Sequence, residues 1–152
     1  MKKLLLVLMT LILAACTAVG NALGNQGEIE QNKDKWQNAN ISHYRYHLHI
    51  SCFCPFVENM PLMIEVEDGK VVSMEYQSGN EIEDFNRELF DKYATIDRIF
   101  SELEADLNGA ADKVTVEYDP TDGFPTKVDI DFVEQAIDDE LYLTISNFEE
   151  LP

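Results

Sequence analysis

The chain has 152 residues, of which 45% are hydrophobic and 26% are charged, and its formal net charge is -18. That length and apolar content supply one packed core and leave little room for a second domain. The strong negative charge repels phosphate groups, so nucleic-acid binding is excluded as a function class. Cationic proteins and metal ions remain compatible partners.

The N-terminus has the pattern of an export signal. Lys2 and Lys3 form a positive start, and residues 4–13 form an apolar run that only Thr10 interrupts. A membrane-spanning helix needs roughly 20 apolar residues, so this shorter run predicts a signal peptide. Two alanines then lead to Cys16, which is the pattern of a lipobox, where cleavage exposes a cysteine that carries diacylglycerol.

These features predict the location and the division of the chain. We expect a signal peptide over residues 1–15, a lipidated Cys16 and flexible tether over residues 16–29, and a single domain over residues 30–152. The protein would then be held at a membrane of the cell envelope by its lipid. Thr17, rather than Asp, follows the cysteine. In a Gram-negative host this resembles lipoproteins of the outer membrane that face the periplasm.

The first half of the folded part predicts one helix and three strands. Residues 30–40 are compatible with a helix, and residues 43–51 alternate between apolar and polar side chains as a half-buried strand does. Strands over residues 62–66 and 71–76 flank Asp68-Gly69, which is typical of a tight hairpin turn. The alternation places these side chains on the apolar face of the first strand: Tyr44, Tyr46, Leu48 and Ile50.

The second half begins with two helical segments. Residues 77–94 are polar but contain a helical spacing of apolar residues, which predicts a short helix over a loop. The residues with this spacing are Ile82, Phe85, Leu89 and Tyr93. Thr95 has the chemistry of an N-cap, and the apolar stripe that follows it predicts a helix ending by Gly109.

Three more strands complete the second half, over residues 113–118, 126–132 and 140–148. Strands joined by short turns run antiparallel to each other. The sequence therefore predicts an α+β fold, in which a twisted antiparallel six-stranded sheet has helices packed on one face. Its two halves would each contribute a helix and three strands.

An ordered set of short motifs resembles a known family. The motifs are Trp36, Tyr44 with Tyr46, Cys52-Phe53-Cys54, Asp68-Gly69, Ile99-Phe100, Tyr118-Asp119 and Gly123-Phe124-Pro125. Together they resemble small bacterial lipoproteins catalogued as domain of unknown function family 6174, over most of the mature chain. That family has no established activity, so the resemblance implies the envelope location and the fold and no catalytic residue. At fold level the two-half pattern is similar to periplasmic modules of the beta-lactamase-inhibitor-protein type.

Cys52 and Cys54 form the only cysteine pair left once Cys16 carries lipid. Outside the cytoplasm thiols generally oxidise, so we expect a local disulfide at a bend that Pro55 favours. A redox dithiol is an alternative role for the pair. A second alternative is a metal site, for which His47, His49, Cys52 and Cys54 would be the ligands. Strand alternation opposes the metal site, because it places the histidines and Cys52 on different faces.

The acidic clusters are explained mainly by turn chemistry. Asp119 and Asp122 lack the alternating ligands of a calcium loop, and Asp129 with Asp131 fits the outer face of a strand. The sequence contains no serine-nucleophile elbow, phosphate loop or zinc-protease motif. We therefore expect no catalytic residues, no enzymatic activity and no cofactor.

The expected function is a non-catalytic binding or structural module of the cell envelope. Its partners would be the membrane, through the lipid on Cys16, and an envelope protein or another cationic molecule. One alternative is a protein that handles metal or redox chemistry through Cys52 and Cys54. Another is an inhibitor of a basic envelope hydrolase such as lysozyme, whose capture a negative charge would accelerate.

Overall fold

The computed structural model of the protein describes residues 26–152. The signal peptide, the lipid site Cys16 and the tether up to residue 25 lie outside the described residues. Helix α1 covers residues 26–39, and the remaining elements follow in the order β1 (His43–Ser51), a 3-10 turn (Pro55–Asn59), β2 (Leu62–Glu67), β3 (Lys70–Tyr76), α2 (Asp84–Lys92), α3 (Ile96–Ala105), a π-helical turn (Asp106–Ala110), β4 (Lys113–Tyr118), β5 (Pro125–Asp131) and β6 (Leu141–Glu150).

The described part of helix α1 already includes residue 26, four residues before the start that the sequence predicts. The reason is packing, since Ile29 lies two turns before Trp36 on the same side of the helix and both are buried. The indole of Trp36 meets Tyr44 edge-on, with ring centroids 5.3 Å apart. The structure thus places residues 26–29 in the folded domain rather than in the tether.

The six strands form one antiparallel sheet in the order β3-β2-β1-β6-β5-β4. Each half of the chain contributes three neighbouring strands, and the first strand pairs with the last at the centre. His47 lies opposite Ser146, and Ile50 lies opposite Leu143 in this central pair. The predicted α+β fold with one six-stranded antiparallel sheet is confirmed.

The alternation in β1 gives the sheet one buried face. All four predicted inward side chains, Tyr44, Tyr46, Leu48 and Ile50, are buried. The hydroxyls of Tyr44 and Tyr46 also form hydrogen bonds with backbone groups near the start of α3. The Tyr46 hydroxyl donates to the carbonyl of Tyr93 at 3.1 Å, and the amide of Ile96 donates to the Tyr44 hydroxyl at 3.2 Å. Burial raises the pKa of Tyr44 to about 12, so this hydroxyl stays protonated.

Helix α3 begins as predicted. The Thr95 side chain accepts a hydrogen bond from the amide of Arg98 at 3.1 Å, which confirms the N-cap. Ile96, Ile99 and Phe100 are buried against the sheet. These contacts hold the helix on the same side of the sheet as α1.

The short helix predicted within residues 77–94 is present, but one of its four predicted apolar positions is wrong. Helix α2 begins only at Asp84, and its buried side chains are Asn86 and Phe90. Phe85, which the helical spacing placed on the apolar side, is 74% exposed. Ile82 and Tyr93 are buried and Leu89 packs against the core, so the spacing fails at Phe85 alone, where it was continued from the loop into the first turn of the helix.

Candidate functional site

The second face of the sheet, called the outer face below, carries the polar side chains that alternate with the core residues. No helix of residues 26–152 packs on it, because the helices and the core cluster occupy the opposite face. Five of the six strands contribute these side chains to it: His43, Arg45, His47, His49 and Ser51 from β1, Met63 and Glu65 from β2, Tyr142, Thr144 and Ser146 from β6, Lys127 and Asp129 from β5, and Thr115 and Glu117 from β4.

Neighbouring strands pair opposite charges across this face. Arg45 Nη2 lies 3.0 Å from Glu149 Oε2, and Lys127 Nζ lies 2.9 Å from Glu117 Oε2. Exposed pairs of this kind add little to stability, about 0–1 kcal/mol each. They do hold long side chains in one arrangement along the sheet, so the outer face has an ordered pattern of charge.

His43 lies on the outer face at the end of the sheet where β1 begins. Its Nε2 lies 3.0 Å from Glu65 Oε1, and its Nδ1 lies 3.0 Å from the carbonyl of Pro152. Both acceptors favour the doubly protonated ring. The hydrogen bond with Glu65, followed by that with Pro152, raises the pKa of His43 above its ordinary 6.5.

A shallow depression of about 230 Å³ lies across β4, β5 and β6 on the outer face. Tyr142 stands beside it and is 45% exposed. The negative charge of Asp129, which lies opposite Tyr142 in the β5–β6 pair, is the main cause that raises the pKa of the tyrosine. The phenol therefore remains a neutral hydrogen-bonding group next to a carboxylate.

The Cys52–Cys54 disulfide is present, as the sequence predicts. It follows β1 directly and closes a turn in which the Cys54 amide donates to the Cys52 carbonyl at 2.8 Å. Both cysteines pack partly against the core, whereas Phe53 between them is 83% exposed. The bond therefore holds the two flanking residues inward while the aromatic ring points into solvent.

The four residues considered for a metal site are not brought together. His47 and His49 lie on the outer face as expected, and His47 Nδ1 is 3.1 Å from the side-chain nitrogen of Asn147. Cys52 and Cys54 are bonded to each other, so neither offers a thiolate. Within residues 26–152, no group of three His, Cys, Asp or Glu residues has the arrangement of a metal site.

The acidic clusters have the structural roles that turn chemistry predicts. Asp119 Oδ1 accepts from the amides of Thr121 at 2.9 Å and Asp122 at 2.8 Å, which closes the β4–β5 loop. In the β5–β6 connection, Asp139 Oδ2 accepts from the amide of Val133 at 2.7 Å. These carboxylates stabilise the loops that contain them.

Two features have no counterpart in the sequence analysis. One is the exposure of Phe53, which alternation alone does not decide once the strand has ended. The other is Asp106, which is buried at the π-helical turn with its Oδ2 lacking a hydrogen-bond partner. Burial and the nearby charge of Glu102 raise the pKa of Asp106. A polar residue at a helix end has no sequence signal for such burial.

The architecture defines the class of protein as an α+β domain with one covered and one open sheet face. The family follows from the sequence: the model of a family of unknown function, DUF6174, matches residues 28–150, and the chain belongs to this family. No curated protein and no solved structure matches the chain. None of the helices described in residues 26–152 is both long and apolar enough to cross a membrane.

Proposed function

We propose that the protein is a non-catalytic binding module of the bacterial cell envelope, tethered to the membrane by lipid on Cys16. The observation that carries this proposal is the open outer face of the six-stranded sheet. A sheet with a packed core on one side and ordered polar groups on the other is a rigid platform for recognition. The lipobox at Cys16 is the feature that would hold this platform at the membrane.

The geometry supports binding rather than catalysis. Cations of the outer face are engaged with acids, as in the Arg45–Glu149 and Lys127–Glu117 pairs. The depression beside Tyr142 is shallow and open, whereas reactive groups usually work in clefts that exclude water. A flat surface of this kind fits a macromolecular partner.

The charge supports a cationic partner. At a net charge of -18 the protein repels nucleic acids and attracts basic proteins. In a Gram-negative host we propose that it sits on the outer membrane and faces the periplasm. There its partner would be another envelope protein.

The anchor is tested by fractionation and intact mass. We expect the extracted protein to lack residues 1–15 and to carry acyl mass, and Cys16→Ser to lose both the acyl mass and the processing at residue 16. The variant Cys52→Ser/Cys54→Ser is the matched control, because it keeps Cys16 and should stay membrane-bound. Recovery of an unprocessed, unacylated precursor from the cytosol would reject the anchored role.

The binding role is tested by affinity purification of the lipidated protein from chemically crosslinked envelopes of its host. We expect at least one envelope protein to be recovered reproducibly. The Cys16→Ser variant, which should not reach the same membrane, is the control for incidental capture. If no partner is enriched over that control, the protein is not a binding module.

An inhibitor of a basic envelope hydrolase is a narrower second candidate, and the net charge of -18 favours it. Electrostatic attraction would accelerate capture of a basic enzyme and would weaken as salt is added. Titration against lysozyme and other basic hydrolases at low and high salt tests it. Loss of hydrolase activity that tracks binding supports inhibition, and absence of salt-dependent binding rejects it.

The Cys52–Cys54 bond favours a third candidate, in which the pair exchanges with substrate thiols and offers thiolates to a metal only in its reduced form. A substrate thiolate would attack one sulfur and release the other as a thiolate. A second substrate thiol would then displace the bound cysteine, leaving an oxidised substrate and a reduced pair. If Cys52→Ser/Cys54→Ser alters only the melting temperature, and neither thiol oxidation nor metal sensitivity, this candidate is rejected.

A further inference from the structure

Four connections meet at one end of the sheet, where β1, β3 and β5 finish and β2, β4 and β6 begin. They are residues 52–61, 77–83, 111–112 and 132–140. This end is called the β1 end below. It is a separate surface from the outer face, because it is built from loops at the edge of the sheet rather than from strand side chains.

Large apolar side chains are exposed at the β1 end. Phe53 is 83% exposed, Ile137 is 87% exposed and Val133 is 52% exposed. Phe85, in the first turn of α2 immediately after residues 77–83, is 74% exposed. These residues account for four of the six large hydrophobic side chains that are exposed in residues 26–152. Such a concentration of apolar surface is typical of an interaction site.

Phe53 is held in place rather than mobile on a loose loop. The disulfide joins the residues on either side of it, and both cysteines pack partly against the core. Phe56, two residues after Cys54, is buried and meets Phe90 edge-on with ring centroids 4.9 Å apart. Because the backbone on either side of Phe53 is already fixed, binding through its ring costs less entropy than binding through a loose loop, so this turn presents Phe53 as a preorganised anchor.

The charge of the same connections is of one sign. They contain no Lys, Arg or His, and their carboxylates are Glu58, Glu81, Glu83, Asp112, Glu134, Asp138, Asp139 and Glu140. The same crowding acts on Asp131 at the end of β5. Partial burial, followed by the charges of Asp139 and Glu140, raises its pKa.

We infer that the β1 end docks a cationic envelope protein, with Phe53 inserted into an apolar pocket of that partner. The inference rests on the proposed function and adds a second contact surface beside the outer face, together with the chemistry of the partner that docks there. Charge complementarity selects this occupant, because anionic lipid, nucleic acid and a second copy of this acidic chain would all be repelled. An aromatic anchor surrounded by charge is the usual anatomy of a protein interface.

Site-specific photo-crosslinking in the full-length lipoprotein, in membranes of its host, tests the location. Benzoylphenylalanine is placed at Phe53, at Ile137 or, as a control, at Val72. Val72 is 52% exposed but lies in β3 near the Asp68-Gly69 turn, at the opposite end of the sheet. We expect a shared adduct from the first two positions that is absent from the third and is lost at about 0.5 M salt.

The adduct must contain a protein that mass spectrometry identifies as basic. Equal labelling from Val72, an acidic partner or an adduct insensitive to salt would overturn the inference. The affinity purification described above distinguishes a wrong docking surface from a wrong proposed function. A reproducible partner without labelling from Phe53 or Ile137 rejects only the docking surface, whereas the absence of any partner rejects both.

Affinities of the purified pair then test the roles of individual residues. Phe53→Ala should weaken binding about 10-fold or more, and Val72→Ala should change it less than about twofold. Unchanged affinity in Phe53→Ala overturns the anchor. The melting temperature of each variant is also measured. It should be unchanged, because Phe53 and Val72 are both exposed.

The electrostatic part is tested with two matched pairs of neutral variants. Glu134→Gln/Asp138→Asn removes two exposed charges at the β1 end, and Glu67→Gln/Asp68→Asn removes two at the opposite end. The first pair should slow association several-fold at low salt and have no effect at high salt. An equal effect from the second pair would show that only net charge matters and would overturn the localised surface.

Discussion

Gly123 lies so close to helix α1 that an added Cβ would stand 2.5 Å from the backbone oxygen of Asn32. Its φ of +80° is also in the left-handed region, where side chains are strained. The absence of a side chain therefore lets the β4–β5 loop rest directly on α1.

This contact predicts a large loss of stability for Gly123→Ala. We expect the free energy of unfolding to fall by about 2–4 kcal/mol, from backbone strain and a forced displacement of α1. Gly79 is the matched control, because its φ is +78° and nothing lies within 4 Å of its added Cβ. Gly79→Ala should cost only about 1 kcal/mol. Equal losses in urea unfolding would contradict the close approach.

The burial of Asp106 predicts that replacing its carboxylate with a neutral group stabilises the protein. Burial, then the charge of Glu102, raises its pKa in the folded protein above the ordinary 3.8, so folding opposes its ionised form. Stability should therefore rise as the pH falls through the folded pKa toward 3.8. Asp106→Asn should raise the melting temperature at pH 7, and the gain should shrink over that acidic range.

The exposed Asp34 in α1 provides the comparison for this substitution. Asp34→Asn should leave the melting temperature nearly unchanged across the same range. If Asp106→Asn melts lower than the parent at pH 7, the carboxylate has a stabilising role and the prediction fails.

The hydrogen bonds of His43 predict that its pKa lies above the ordinary value for a histidine. The hydrogen bonds with Glu65 and Pro152 raise its folded pKa above 6.5, so the charged ring is favoured by folding. This contribution to stability is complete below pH 6.5 and is lost as the pH rises through the folded pKa. Titration followed by NMR should show the raised pKa, and Glu65→Gln should move it back toward 6.5.

Glu75, exposed on β3 and paired with Met63 rather than with β1, is the control carboxylate. Glu75→Gln should leave the His43 titration in place. A shift of similar size in this variant would assign the raised pKa to general charge and not to the contact with Glu65.

The Cys52–Cys54 bond predicts a small effect on global stability. It closes a ring of very few residues, so removing it restores little entropy to the unfolded chain. Cys52→Ser/Cys54→Ser should lower the free energy of unfolding by about 1.5 kcal/mol or less. Urea unfolding with and without reductant measures this, and a loss above about 3 kcal/mol would mean that the bond organises the core.

Local patterns were sufficient to predict most of the elements. Alternation in residues 43–51 predicted the inward side chains of β1, and Asp68-Gly69 predicted the hairpin. Thr95 was identified as an N-cap because capping depends on neighbouring residues alone. Phe85 was misplaced because a helix register read across a loop has no physical continuity.

Spacing along the chain is enough to predict the periodic elements, the fold class, the cysteine pair and the expected envelope signal. The folded structure was needed to show that β1 pairs with β6, that Asp106 is buried, and that Phe53 and Ile137 share one acidic end. These relationships join residues far apart in sequence. Their positions depend on how the two halves pack, which no local pattern encodes.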